Sequence, residues 1–545
     1  MRKALLCATS VLFLASGLFA QPLTETIEVR VANIDVVVTD REGHPIHGLT
    51  KDDFELYENR KLQSITNIYE ERGEAPAAGT ASGTVASAPA PAEIRQRSIV
   101  VFIDNTSIDP LRRNQAIDVI VRALDALLRP GDDAMLVAWN QNLEVLQPFT
   151  TDVALLKRTL DKSRKFTSSV SNLQWQKNEA VSFANSMIQA AQTGRMRPAD
   201  AYSSAISKVR SYAEFVLQTE RGLLRSMSRT IALLSGIEGK KVLVFVGAEL
   251  QERPGLDVFQ IVDSMFVGLI RTAPAILRDA DINTTTQLQE VARNANANGV
   301  TMYMLDVSDR SRSSAEGSLP DPEVEFTQQT NSFFSMSMLA SNTGGSLLSG
   351  STNYALALNN IARDLGSYYS LGYKPPADGG VDRSISVKVK RAGAVVRTRH
   401  GYALKSADEQ MQDRVVANAF HTTLKGDFPV KIETSKPEPF EKGLFKVIVT
   451  LTFPSDLTYL PDGENLSGGY TVFFVTAAED GALSPVAKQS QDVKFPAATA
   501  EAVKQKPFTH TTGLIVRPGS QSISVAILDR LGARVGYARA AFIAR

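Results

Sequence analysis

Apolar side chains alternate with polar ones in the first part of this chain. Ile27, Val29 and Val31 occupy every second position, and a further alternating run follows before a glycine turn. Period-2 alternation is typical of strands that bury one face. We predict a small β module over residues 24–72. The next segment, 73–97, is rich in Ala, Pro, Gly, Ser and Thr and poor in large apolar residues, which is typical of a flexible linker.

The pattern changes over residues 98–375, where continuous apolar runs are separated by segments with helical spacing. These runs lie at 99–103, 134–139, 242–246 and 300–305. Continuous apolar runs are typical of strands buried on both faces of a parallel sheet, and the helical segments between them indicate βαβ crossovers. We therefore predict an α/β domain with a doubly wound, mostly parallel sheet, and a short antiparallel strand at 145–149.

A helical insertion is predicted within this domain at about 170–236. Its basic residues include Lys208, Arg210, Arg221, Arg225 and Arg229. Two interpretations stay open. The helices form an amphipathic hairpin that covers the sheet and keeps its basic residues in solvent, or they form an appendage that binds a partner near the ligand-binding edge.

Alternation returns after the α/β domain. Residues 381–403 are predicted to form a β-hairpin extension that turns at Gly393. Short alternating runs separated by glycine turns fill residues 416–545. Many short strands of this kind predict a β-sandwich of the immunoglobulin or fibronectin type III style.

Charge and cysteine content limit the classes of partner and site. The 545 residues include 59 Lys and Arg against 58 Asp and Glu. No overall basic field is available to attract a phosphate backbone, so we expect no nucleic-acid partner. The single cysteine, Cys7, can neither close an intramolecular disulfide nor build a cysteine-based zinc site.

The first twenty residues have the layout of a secretory signal peptide. Arg2 and Lys3 precede an apolar stretch over 4–20, and Ala20 is a small residue before the expected cut. An uncleaved membrane anchor is the alternative. After cleavage, we expect a protein that is secreted to the periplasm or beyond the cell. It has no membrane span, since no later stretch is long and apolar enough.

Candidate chemistry lies at the ends of the predicted parallel strands. Asp104 follows the most apolar strand, and Asp306 follows another. Ligands of open parallel sheets bind beyond the carboxyl ends of the strands, in the crevice where the strand order reverses. Both carboxylates are therefore predicted to lie where a ligand binds.

Four motifs follow one another in a characteristic order. They are Val36-Val37-Val38-Thr39-Asp40 with Gly48-Leu49-Thr50-Lys51-Asp52-Asp53-Phe54, the strand that ends at Asp104, Tyr368-Tyr369-Ser370-Leu371-Gly372-Tyr373, and Arg399-His400-Gly401-Tyr402. This order resembles the von Willebrand factor type A family, and in particular its acidobacterial secreted branch. The resemblance extends over residues 25–403. It implies an α/β domain that binds a protein partner.

The resemblance also implies a metal-ion-dependent adhesion site, whose oxygen ligands suit Mg²⁺ or Ca²⁺. The family's first loop has the pattern Asp-x-Ser-x-Ser. Asp104 matches it and Thr106 supplies a hydroxyl, whereas Ile108 occupies the second serine position. Thr167 is the expected second-loop threonine, and Glu249 is a displaced substitute for the aspartate after the fourth strand. A structural role for Asp104, as a carboxylate that caps its own loop, is the alternative to this degraded metal site.

Familiar enzyme motifs are absent from the sequence. The chain has no Gly-x-Ser-x-Gly, His-Glu-x-x-His or Gly-x-x-x-x-Gly-Lys pattern, and none of its five histidines falls in the α/β domain. We therefore expect a secreted, non-catalytic protein of the adhesion type that recognises a partner at the C-terminal edge of the sheet. The alternative is a structural scaffold of the cell envelope whose type A fold binds no metal, and a hydrolase ranks third.

Overall fold

The structure is a computed structural model that describes residues 32–72, 96–166, 170–270, 281–308, 322–349, 354–376, 382–421, 424–478 and 482–545. The predicted signal peptide at 1–20 lies outside the described residues, as does almost all of the predicted linker at 73–97. Within the described ranges, no helix is long and apolar enough to cross a membrane.

Helices and strands are numbered separately along the chain. The α-helices of the described residues are α1 Pro110–Leu127, α2 Val153–Ser163, α3 Val170–Gln192, α4 Pro198–Ser235, α5 Leu256–Met265, α6 Thr285–Asn298, α7 Pro322–Asn342, α8 Tyr354–Gly366, α9 Ala407–Phe420 and α10 Ala500–Lys504. The first strands are β1 Ala32–Thr39, β2 Phe54–Glu58, β3 Lys61–Gln63, β4 Ile65–Arg72, β5 Arg97–Asp104, β6 Asp133–Trp139, β7 Leu143–Thr150, β8 Lys240–Gly247, β9 Val300–Asp306, β10 Leu347–Leu348 and β11 Ser367–Tyr373. The remaining strands are β12 Asp382–Val389, β13 Val395–Thr398, β14 Gly401–Ala403, β15 Lys431–Thr434, β16 Glu438–Pro439, β17 Phe445–Phe453, β18 Tyr459–Asp462, β19 Asn465–Ala478, β20 Ala487–Pro496, β21 Phe508–Val516, β22 Gly519–Asp529 and β23 Val535–Ala544.

An open six-stranded sheet forms the centre of the α/β unit, in the order β10-β9-β8-β5-β6-β7. Neighbouring strands from β10 to β6 pair in parallel, and the edge strand β7 pairs antiparallel with β6. Every residue of β5 and β6 is buried, as their continuous apolar sequences require. The predicted α/β class with a parallel-containing sheet is confirmed, and so is the antiparallel strand predicted at 145–149.

Helices pack against both faces of this sheet. Helices α1, α2 and α8 share one apolar core with Ile99 and Val101. Helices α4, α6, α7 and α9 share another with Val100 and Phe102. Because successive side chains of a strand point to opposite faces, one strand supplies both cores.

Helices α3 and α4 occupy the predicted insertion at about 170–236. Ala184 of α3 and Ala205 of α4 are fully buried in the contact between the two helices, where small side chains allow a close approach. The second half of α4 continues onto the sheet, and Leu224 and Ile231 join the sheet's core. The exposed basic residues of α4 are Arg210, Arg225 and Arg229. The second half of α4 therefore covers the sheet, whereas α3 and the first half of α4 pack with α5 in a separate core.

A β module is formed by strands from both sides of the α/β unit. One sheet has the order β13-β1-β11-β4, the other has the order β14-β12-β2-β3, and Ile34, Leu56 and Tyr369 lie in their common core. Strand β11, which the sequence placed inside 98–375, pairs with β1 and β4 and belongs to this module. The N-terminal module is thus completed by strands that follow the α/β unit.

The predicted hairpin at 381–403 is wrong. Strand β12 pairs with β2 and β14, whereas β13 pairs with β1 in the other sheet. Ile385 of β12 and Val396 of β13 enter the common core from opposite sheets. The turn between the two strands is therefore a corner that connects two layers.

The last part of the chain forms two more sheets. Strands β15, β16, β17 and β21 make one, and β18, β19, β20, β22 and β23 make the other. Val449 of β17 and Val472 of β19 share the core between them. Phe473 and Val475, on the opposite face of β19, belong instead to the core that α9 shares with the parallel sheet. A continuous apolar cluster therefore joins this β-sandwich to the α/β unit.

Candidate functional site

Asp104 lies at the carboxyl end of β5, in the centre of the parallel sheet, and is fully buried. Its Oδ1 accepts hydrogen bonds from the Thr106 amide, at 2.8 Å, and the Thr106 hydroxyl, at 2.6 Å. Its Oδ2 accepts a hydrogen bond of 2.6 Å from the Ser107 hydroxyl. Burial raises the pKa of Asp104 above its usual range, although these hydrogen bonds act in the opposite direction. Asp104 thus fixes the conformation of its own loop.

Ser107 is a residue of this site that the sequence pattern missed. Its hydroxyl bonds Asp104 and accepts a hydrogen bond of 3.1 Å from the Ala248 amide in the loop after β8. Ile108, at the position where the resembling family has its second serine, is fully buried in the core beneath. The second hydroxyl of the loop therefore comes from position 107, and it connects the loops that follow β5 and β8.

Glu220 of α4 is a further carboxylate near this edge, and no sequence motif predicts it. Its Oε1 accepts a hydrogen bond of 3.3 Å from the Gln251 amide, whereas its Oε2 is buried and has no hydrogen-bond partner. Burial raises the pKa of Glu220 well above its usual range, and the charges of Asp104 and Glu249 act in the same direction. A signal was present in the sequence: Glu220 follows Val216 and Leu217 at helical spacing, on the apolar face of α4.

The structure describes two further candidate residues of this edge, Glu249 and Asp306. Glu249, in the loop after β8, accepts a hydrogen bond of 2.9 Å from the Gln251 side chain. Asp306, at the end of β9, accepts one of 2.9 Å from the Ser308 amide. Thr167 lies outside the described residues. Asp104, Thr106 and Glu249 are therefore described at the expected edge of the sheet, while the second-loop threonine is not.

The expected second-loop ligand Thr167 lies outside the described residues, and the donors that remain at Asp104 are its carboxylate and two hydroxyls in the part of the chain that the structure describes. There, no group of three or more His, Cys, Asp and Glu side chains could hold a metal ion. The hydroxyls of Thr106 and Ser107 both donate to Asp104, and Ile108 offers no ligand atom. Mg²⁺ and Ca²⁺ need about six or more oxygen ligands. No step of the function proposed below is assigned to a metal.

Exposed apolar side chains lie on three helical segments that are connected through α5. They are Trp175 and Phe183 of α3, Val267 just after α5, and Phe326 and Phe333 of α7, and we call them the apolar edge surface. Helix α5 contacts both α3 and α7. Asn331 of α7 bonds both the amide and the carbonyl of Arg253, at 2.9 and 2.8 Å, in the segment between β8 and α5. These bonds hold α7 beside the loop that carries Glu249.

Comparisons with known proteins add solved structures of low similarity. No family model matches the chain, and no curated protein matches it. An aerotolerance-related membrane protein from Bacteroides fragilis, with multiple mutations to serine, is 11% identical over 49% of this chain and 98% of its own, with a TM-score of 0.23. BatB from Bacteroides thetaiotaomicron is 10% identical over 49% and 98%, with a TM-score of 0.21. The pilus adhesin SpaC from Lactobacillus rhamnosus is 8% identical over 93% and 57%, with a TM-score of 0.27. Similarity this low assigns neither a family nor a function to the chain.

Proposed function

We propose that this chain is an exported, non-catalytic protein-binding protein with a von Willebrand factor type A-like α/β domain. It recognises its partner at the C-terminal edge of the parallel sheet. The strand order and the antiparallel edge strand β7 support a doubly wound domain of this type. The motif order from residue 25 to residue 403 supports the same assignment.

The apolar edge surface is the observation that carries the proposal. Phe326 is 68% exposed, Trp175 60% and Phe333 50%. Clustered exposed aromatic residues mark interaction sites, and buried aromatic anchors supply much of the energy of protein interfaces. Transfer of one such side chain from water into an interface is worth about 1.5–3 kcal/mol. Three anchors on α3 and α7, which both contact α5, can therefore hold a protein surface against this edge.

The buried carboxyls act in this proposal by shaping the edge. Asp104 holds its loop against the loop after β8 through Ser107, and Glu220 binds the Gln251 amide that precedes α5. Both interactions fix the loops after β5 and β8, and the loop after β8 leads into α5, which contacts α3 and α7. A purely structural scaffold in the cell envelope is the second candidate, because the hydrogen bonds of Asp104 also suit a role confined to its loop.

Affinity capture from the native cell envelope tests the proposal. Trp175→Ser and Phe333→Ser remove exposed anchors, and Ile515→Ser serves as a matched control because Ile515 is 55% exposed on β21 of the sandwich. We expect the wild type and the Ile515→Ser variant to capture the same protein, and the other two variants to lose it. Equal capture by all four proteins would exclude the apolar edge surface as the interface and favour the scaffold.

A further inference from the structure

A second cleft lies at the opposite end of the parallel sheet, where the β module meets the first residues of β8 and β9. Its volume is about 670 Å³. Its charged lining residues are Asp35, Glu238, Lys240, Lys241, Arg397 and Arg399. Four positive side chains therefore stand against two negative ones. This end of the sheet plays no part in the function proposed above.

Two of the four cations are neutralised by carboxylates. Lys240 bonds Asp35 at 2.8 Å, and Arg397 bonds Asp364 through Nη2 at 2.7 Å. The two carboxylates that line the cleft are also engaged, because Lys240 bonds Asp35 and Arg414 bonds Glu238 at 3.4 Å. The charge of the cleft that needs explanation belongs to Lys241 and Arg399.

Lys241 and Arg399 converge on one point of the cleft wall. The Lys241 Nζ lies 4.0 Å, and the Arg399 Nη1 3.2 Å, from the position that a Cβ atom would take at Gly299. Arg399 donates to the carbonyls of Asn33 and Asn296, at 2.6 and 3.3 Å, and its Nε has no hydrogen-bond partner. Within the described ranges, neither cation has a carboxylate at ion-pair distance. The charges of Asp35 and Asp413 act on Lys241, and that of Asp35 also acts on Arg399, but Asp35 is bonded to Lys240 and Asp413 to Lys405. The two like charges thus face one another with no carboxylate bonded to either of them among the described residues.

This arrangement is electrostatically costly. Burial lowers the pKa of Lys241 to about 8, and the charges of Arg399 and Lys405 act in the same direction. Lys405 itself is bound by Asp413, so that carboxylate is also engaged. Partly buried cations that repel one another are stabilised when an anion binds between them.

We propose that this cleft binds a phosphate-bearing small molecule, whose phosphate lies between Lys241 and Arg399. A carboxylate is best recognised by the two parallel N–H groups of an arginine fork. Neither arginine presents two free parallel N–H groups here, since Arg399 uses Nη1 and Nη2 on carbonyls and Arg397 uses Nη2 on Asp364. Single N–H groups remain without a partner at Arg399 Nε and Arg397 Nη1. The ammonium of Lys241 acts as a point charge and suits a multivalent oxyanion. The cleft is large enough to hold further atoms of the ligand beside its phosphate.

Thermal unfolding with inorganic phosphate, at constant ionic strength set by sodium chloride, tests this proposal. We expect phosphate to raise the Tm of the wild type saturably, and Lys241→Gln to weaken the apparent affinity by about tenfold or more, as for loss of a charged hydrogen bond. Lys431→Gln is the control, because Lys431 lies on β15 and its side chain is 71% exposed. An equal shift in the wild type and in Lys241→Gln would overturn the proposal, and so would an equal saturable shift with acetate.

A chemical readout separates binding from a merely structural role of Lys241. Acylation of the Lys241 amine by a lysine-reactive reagent, followed by mass spectrometry, should slow when phosphate is added and stay unchanged with chloride. The rate at Lys431 should not respond to either anion. Arg399→Gln should abolish the protection of Lys241. If that variant does not fold, the test rests on the wild type alone. Equal rates of Lys241 acylation with and without phosphate would then refute the phosphate site.

Discussion

Replacement of Glu220 by glutamine tests whether α4 keeps an uncharged carboxyl group beside Asp104. Glu220 is 7% exposed, and burial raises its pKa well above 4.5, with the charges of Asp104 and Glu249 adding to the shift. In the unfolded chain the carboxyl ionises at its ordinary pKa. Above that pH the unfolded state gains ionisation free energy that the folded state lacks, so wild-type stability falls as the pH rises towards the folded-state pKa.

The size of the effect follows from proton linkage. One proton changes the free energy of unfolding by at most about 1.4 kcal/mol per pH unit. Between about pH 5 and pH 7 Glu220 can thus cost the folded state close to 3 kcal/mol. Glutamine has the same shape, keeps an oxygen for the Gln251 amide and does not ionise. At about 2 °C of Tm per kcal/mol in a domain of this size, Glu220→Gln should raise the Tm by several degrees at pH 7.

Calorimetry over a pH series is the assay. The Tm values of the wild type and Glu220→Gln should nearly coincide at about pH 4.5 and separate progressively up to about pH 7. Glu214→Gln is the matched control, since Glu214 is an exposed residue of the same helix, and its Tm should follow the wild type throughout. Parallel curves for the wild type and Glu220→Gln would refute the argument that Glu220 is held uncharged.

Three further predictions concern other parts of the chain. Glu58 and Arg383 form an ion pair of 2.6 Å with both side chains 1% exposed, so Glu58→Leu should lower the free energy of unfolding by about 3–5 kcal/mol in chemical denaturation, and a loss below about 1 kcal/mol would contradict this. Gly239 has a φ of 89° and its Cβ position lies 2.1 Å from the Gln96 carbonyl oxygen. Gly239→Ala should therefore destabilise the protein by about 2 kcal/mol or more beyond Gly393→Ala, where φ is also positive but the space is open; equal losses would remove the steric argument. Mg²⁺ or Ca²⁺ should leave the Tm unchanged. A saturable rise in Tm that Asp104→Asn abolishes would instead support a metal site at Asp104.

The sequence predicted the parallel sheet because its strands are buried on both faces. A continuous apolar run such as 99–103 has few alternatives in a soluble domain, and the polar residue that ends it marks the ligand-binding edge. Asp104 could therefore be placed correctly from the sequence alone. The pairing of the alternating strands outside this sheet could not be predicted, because alternation shows which face of a strand is buried and does not show which strand is its partner. For this reason β11 was assigned to the wrong unit, and β12 and β13 were joined in a hairpin.

The residues that complete the site came from distant parts of the chain. Glu220 lies within electrostatic range of Asp104 only because α4 runs from its contact with α3 onto the sheet. Local spacing cannot predict such a long-range approach. A carboxylate on an apolar helix face does indicate an unusual site, because burial of a charged group costs free energy unless the group is paired or neutralised. Ser107 was missed because a fixed motif spacing was applied to a loop whose turn presents the neighbouring hydroxyl instead.

The pairing of Arg72 with Ser367, at the ends of β4 and β11, has a consequence for the order of folding. Among the described strands, β1 and β4 find their sheet partners only in β11 and β13. During synthesis these partners emerge after the whole α/β unit, and contacts of such sequence separation form late. We therefore expect the β module to close only after the α/β unit has folded and has brought the two ends of the module together. A mutation that slows folding of the α/β unit should prolong the time for which β1 and β4 are exposed as unpaired edges.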